Sequence, residues 1–113
     1  MLFDTGGTNA ANNRFVGNSF IADAGHEGEV QQIVASGATF TTMRCHVAVA
    51  AAGSTTYTLR VNGGNSTLTC TIAGGQTNGS GSGSVTVSAG DSVDVATPGA
   101  GTPGQPASFA VGG

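Results

Sequence analysis

Lysine is absent from this chain, and its only cations are Arg14, Arg44 and Arg60, set against six acidic residues for a formal charge of −3. A phosphate backbone would find no basic stripe to neutralise, so no nucleic-acid partner is expected. Charged residues make up 8% of the chain, where a soluble surface ordinarily carries roughly 25–35%. Thr, Ser, Asn and Gly must wet this surface, and much of it is expected to be covered by partners. No run of 18 apolar residues occurs, so no membrane span or membrane partner is expected. Met1-Leu2-Phe3-Asp4 lacks the basic and apolar blocks of a secretory signal, which makes cytoplasmic assembly the expectation.

Cysteine is scarce as well. Cys45 and Cys70 sit in strand-like runs at positions that point inward, with no second Cys or His pair at zinc-site spacing. For a protein kept in a reducing compartment the expected state is two buried free thiols.

Glycine is abundant, at 20 of 113 positions, beside 38% apolar residues. That mixture favours many short strands joined by turns, in one domain with one core. Residues 1–13 show no usable period and read as an extended N-terminal arm, leaving 14–113 as the folded domain. Arg14 to Asp23 reads as a strand broken by a bend at Gly17-Asn18-Ser19, and Glu29 to Ser36 as a further short strand. From Thr39 to Ala50 the alternation is clear. Met43, Cys45, Val47 and Val49 share the inner face, while Arg44, His46 and Phe40 fall on the other.

Tyr57, Leu59 and Val61, followed by Asn62-Gly63-Gly64-Asn65 and then Leu68, Cys70 and Ile72, form the best hairpin. A turn centred on Asn62-Gly63 or on Gly63-Gly64 gives an odd index sum, which keeps both apolar sets on one face. Gly74 to Gly83 reads as a mobile Gly/Ser connection. Val85 and Val87 lead through Ala89-Gly90-Asp91 to Val93 and Val95. Pro98 to Pro106 reads as loop, and Ala107 to Val111 as the last strand. Seven or eight strands without intervening helices make an all-β antiparallel sandwich.

Tyr57-Thr58-Leu59-Arg60-Val61-Asn62-Gly63, Leu68-Thr69-Cys70-Thr71-Ile72, Ser84-Val85-Thr86-Val87, Ala89-Gly90-Asp91-Ser92-Val93 and Gly101-Thr102-Pro103 resemble, in order and spacing, phage and bacterial virion-type jelly-roll modules. Those modules are related to the tumour necrosis factor and complement globular-head sandwiches. The resemblance spans Glu29 to Val111. It implies a jelly-roll β-sandwich that forms a homotrimer and serves in head decoration, at fibre tips or on cell surfaces. No collagen-like stalk or coiled-coil trimeriser accompanies it here.

Chemistry-bearing clusters are thin. His26 with Glu27 and Glu29 could converge on a metal ion but fit a solvated loop better, and Asp91 with Asp94 fall short of a calcium ligand set. Asp91 is expected to accept backbone N–H bonds in its turn. His46 with a serine and Asp91 could suggest a hydrolase, yet no nucleophile elbow in a strand-to-helix context occurs, and Gly79-Ser80-Gly81-Ser82-Gly83 is a low-complexity run that would not hold a serine's geometry. No catalysis, cofactor, metal or small-molecule substrate is expected. The leading expectation is a bacteriophage capsid decoration or cement protein on the virion surface, its partners a second copy of itself and the major capsid protein. Phe40, Arg44 and His46 would form the subunit contact. Leu2, Phe3, Asn12 and Arg14 would form the arm that touches the shell. The rival is a receptor- or glycan-binding head whose rim is made by the Gly74–Gly83 and Pro98–Pro106 loops.

Overall fold

The computed structural model describes residues 1–7, 12–19, 21–23, 25–99 and 105–113. Ten strands follow one another: β1 (Leu2–Asp4), β2 (Phe15–Val16), β3 (Ile21–Ala22), β4 (Gln32–Ile33), β5 (Ala38–Val49), β6 (Thr55–Val61), β7 (Gly64–Ile72), β8 (Asn78–Val87), β9 (Ser92–Ala96) and β10 (Gln105–Gly112). A 3-10 turn at Glu27–Glu29 precedes β4, and no α-helix occurs among the described residues. The fold is all-β. Its ladders are antiparallel and run through one curled sheet in the order β1-β10-β5-β8-β7-β6-β9-β2-β3, with β4 on β9. The Asp4 N–H donates to the Gly17 carbonyl at 2.9 Å and the Ser19 N–H donates to the Asp4 carbonyl at 3.1 Å, so the first strand meets the β2–β3 turn.

The core lies inside the curl and follows the period-two apolar sets. Met43, Tyr57, Leu59, Leu68, Cys70, Val93 and Val95 are completely buried. The Tyr57 and Phe109 rings pack 4.8 Å apart at 55°, a tilted contact that suits their quadrupoles. Asn62 and Gly63, both at positive φ, make the β6–β7 turn. Arg60 opposes Asn65 near that turn, while Thr58 opposes Thr69 and Tyr57 opposes Cys70 beyond a register shift. The index sums are 125 near the turn and 127 beyond it, both odd, so the two expected centres are used in succession and the apolar faces agree.

Several expectations are corrected. Phe40 is buried, not outward: the β5–β8 register shifts between Phe40 and Thr42, so Phe40 and Met43 both enter the core despite opposite parity. Val49, expected inside, is exposed near the end of β5. Val61 is only partly buried. The Arg14–Asp23 segment is a tight hairpin in which Val16 pairs with Ile21, and β4 is only two residues long. Pro106 falls inside β10, one residue past its start, where the missing donor is tolerated.

The N-terminal segment also differs from a free arm. Leu2–Asp4 pairs with β10, and Phe3, 1% exposed, belongs to the core. An aromatic side chain removed from water by two or three neighbouring strands holds its backbone with it. Of the expected arm, residues 8–11 lie outside the described residues.

The largest correction concerns Gly74–Gly83. Residues 78–87 form β8, paired with β5 along Ala38–His46. Here the alternation is written in glycine and serine. Gly79, Gly81 and Gly83 face β7, so closely that a Cβ at Gly81 would stand 1.7 Å from the Thr69 carbonyl oxygen and one at Gly79 would stand 2.2 Å from that of Thr71. The bare inner face of β8 lets β7 fold over it. It also lets Cys45, opposite Gly79 on β5, reach Cys70 on β7 across the intervening strand. The two cysteines are joined in a disulfide and are not free thiols. Their Cα atoms are 6.3 Å apart, where two flat strand spacings would separate them by about 9.5 Å.

Candidate functional site

Three features stand outside the core. The first is a trough on the outer face of β1, β10, β5 and β8. The register aligns Leu2, Ala110, Arg44 and Ser80 in one row and Asp4, Ser108, His46 and Asn78 in the next. Short side chains at Ser108 and Ala110 form the floor, and the taller Leu2 and Asp4 on one side and Arg44 and His46 on the other form the walls. This trough encloses about 440 Å³. Leu2 is 68% exposed. Among the described residues the Arg44 guanidinium has no ionic or hydrogen-bond partner. His46 Nδ1 lies 2.9 Å from Asn78 Oδ1, and Asp4 Oδ1 accepts the Gly6 N–H at 2.8 Å.

Of the expected subunit-contact residues, Arg44 and His46 therefore lie together on this face, and Phe40 is on the opposite one. Of the expected shell-contact residues, Leu2 is in the trough and Phe3 is in the core. Asn12 is half-buried, and Arg14 is ion-paired to Asp23 at 3.0 Å beside a different groove. The structure puts Leu2 and Phe3 on opposite faces of β1, while Asn12 stays with Arg14, whose Nη1 donates to the Asn12 carbonyl at 3.3 Å. It holds Asp91 on the Ser88 N–H at 2.8 Å and the Asn62 amide at 3.0 Å, while His46 is on Asn78, so the suggested Ser–His–Asp91 set is not assembled. Those contacts at Asp91, the Ser88 N–H foremost, lower its carboxyl pKa. Ser80, one of the two serines of the Gly79–Gly83 run, faces outward opposite Arg44.

The second feature is a cluster that sequence spacing could not reveal. Arg60 gives Nε to Glu27 Oε2 and Nη2 to Glu27 Oε1, both at 2.9 Å. It also gives Nη1 to Asn65 Oδ1 at 2.8 Å and Nη2 to the Gly63 carbonyl at 2.6 Å. This bidentate pair pins the 3-10 turn over the sheet. The guanidinium carbon lies 5.1 Å from the centroid of the Phe15 ring. Beneath the pair, Asp94 is 0% exposed, and among the described residues neither carboxyl oxygen has a hydrogen-bond partner. Burial foremost, and the neighbouring Glu27 carboxyl after it, push Asp94 up to about 8 against the pull of Arg60. The Arg60 hydrogen bond holds Glu27 below its ordinary value. His26 Nδ1 meets Glu29 rather than sharing a ligand set with Glu27, and no group of three His, Cys, Asp or Glu converges among the described residues.

The third feature is a groove of about 660 Å³ on the outer face of β2, β9 and β6, bordered by Asn65 and by Pro98 and Gly99. Of the two loops expected to form the rim of a binding head, the structure replaces most of one with strand and describes only the ends of the other. Residues 78–83 belong to β8, and of Pro98–Pro106 residues 100–104 lie outside the described residues.

Comparison with family models finds no match, and neither does comparison with curated protein sequences.

Proposed function

We propose that this protein is a structural module that acts by contact without catalysis: a jelly-roll shell protein of the capsid-decoration type that associates with copies of itself through the β1–β10–β5 trough. The observation that carries this reading is the trough itself. It sets an exposed Leu2 beside Asp4 on one wall and the guanidinium of Arg44 on the other, so one patch offers apolar surface and both signs of charge. Such a patch can meet its own copy around a symmetry axis. The curled antiparallel sheet and the thinly charged surface support the same reading.

A homotrimer on a capsid surface would engage several shell subunits at once, and weak contacts would add through effective concentration. Leu2, rather than the buried Phe3, is the β1 residue free to meet a neighbour. A disulfide fits a particle assembled in a host cytoplasm and oxidised after release, because thiols stay reduced inside the cell.

Sedimentation velocity across a hundredfold concentration range tests the association. Trimers that dissociate on Arg44→Glu or Leu2→Asp are expected. A monomer at all concentrations would overturn it. Cryo-EM of particles with and without the protein tests the shell role, for which added density at symmetry positions is expected.

A further inference from the structure

The groove on β2, β9 and β6 lies away from the trough and is built differently. Its row of outward residues sets Phe15 of β2 beside Ala96 of β9 and Thr58 of β6. Arg14, Thr56, Arg60 and Asn65 are among its other polar lining residues. At about 660 Å³ it has the size of an ordinary ligand site.

Its electrostatics decide the class of ligand. Two guanidinium groups face the groove, which would suggest an anion, but both are already compensated. Arg14 is paired with Asp23, and Arg60 is held in two-point contact by Glu27. A phosphate or carboxylate would have to displace a carboxylate from one of them and gains no surplus positive charge.

What remains unused is neutral hydrogen-bonding capacity beside an apolar ring. Asn65 accepts from Arg60 through Oδ1, which leaves both hydrogens of its amide nitrogen to donate. Thr58 has no hydrogen-bond partner for its hydroxyl among the described residues. The Thr56 hydroxyl, 2.9 Å from that of Thr71, keeps a lone pair to accept with. Phe15 is half-buried, and Arg60 fixes its ring from one side. A ligand matching this set has hydroxyls that both donate and accept, C–H faces for the ring, and no net charge.

We propose that this groove is a binding site for a neutral oligosaccharide, with Phe15 supplying the apolar contact and Thr56, Thr58 and Asn65 the hydroxyl-directed hydrogen bonds. The site is independent of self-association through the trough, and either could stand without the other.

The test is an amide-shift NMR titration of the whole protein with neutral hexose probes, namely maltotriose, cellotriose and lactose, and with inorganic phosphate as the charged comparison. At least one sugar is expected to move the Thr58, Asn65 and Ala96 amides while phosphate leaves them in place. Thr58→Val keeps shape and strand propensity while removing the hydroxyl, so it should weaken that sugar by about fivefold with an unchanged thermal melt. Phe15→Leu should weaken it as well. No shift with any of the three sugars at tens of millimolar would overturn the assignment, as would shifts confined to other surfaces. Phosphate moving the same amides more strongly than sugar would overturn its neutral class.

Discussion

Arg60 and Asp94 stand opposite each other across the β6–β9 ladder, yet the guanidinium gives its two-point contact to Glu27 of the preceding turn and leaves the buried Asp94 carboxyl without a hydrogen bond among the described residues. The carboxyl keeps its proton because ionising it would place a second negative charge beside Glu27 away from water.

A pH dependence follows from that arrangement. The Asp94 pKa rises from 3.8 to about 8 on folding. Well below pH 3.8 folded and unfolded chains both hold this proton, so its contribution is complete there. Between about 4 and 8 the unfolded chain releases the proton while the folded one keeps it, so stability falls by at most ~1.4 kcal/mol per pH unit. Glu27 has the opposite sign: its lowered pKa contributes stability that is present above its ordinary value and lost as pH falls through the folded one. Urea melts at pH 5, 6.5 and 8 should show declining stability, and Asp94→Asn should flatten the slope. An equal slope in the variant would remove Asp94 as its source.

The closeness of β7 to β8 makes a second expectation. Gly81→Ala would drive a Cβ into the Thr69 carbonyl, backbone that cannot swing aside. A loss of about 1–3 kcal/mol or more is expected in denaturant melts. Ser82→Ala, one residue along and outward, should stay within about 0.5 kcal/mol of the parent.

The disulfide makes a third. Cys45 and Cys70 are 25 residues apart, and closing a loop of that size in the unfolded chain corresponds to about 3.5 kcal/mol. The double variant Cys45→Ser, Cys70→Ser should melt lower by that order. Intact-mass measurement after alkylation without reductant should find no modified thiol in the parent.

Core packing gives the fourth. Leu59 is completely buried between strands of the curl, and Leu59→Ala should cost about 2–5 kcal/mol in urea melts. A loss below about 0.5 kcal/mol would contradict the inward face assigned to β6.

How far the fold could be read in advance is clearest in the β6–β7 hairpin. Tyr57, Leu59, Leu68, Cys70 and Ile72 announced their face by alternation, and Asn62-Gly63 announced the turn, because both signals are local. Alternation alone puts Phe40 on the outward face, yet it is buried, since a register shift against β8 is a property of two strands together. Gly79-Ser80-Gly81-Ser82-Gly83 has a period-two pattern that does not announce a strand, because hydrophobicity, the usual marker of alternation, is missing from it. In the trough, Arg44 and His46 were legible as an outward pair, but Leu2 and Asp4 joined them only through β10, more than 60 residues further along the chain.

The order of residues by itself determined an all-β chain, the inward parity of its central strands and a surface with little charge, since each depends on neighbours two positions apart or on composition. Only the tertiary structure decided that a glycine strand would let two distant cysteines join, and that Glu27 would claim Arg60 above a buried Asp94. It alone placed Phe3 in the core. Those outcomes depend on which backbones approach closely enough to exclude a Cβ or a water molecule, and that distance is set by the closing of the sheet as a whole.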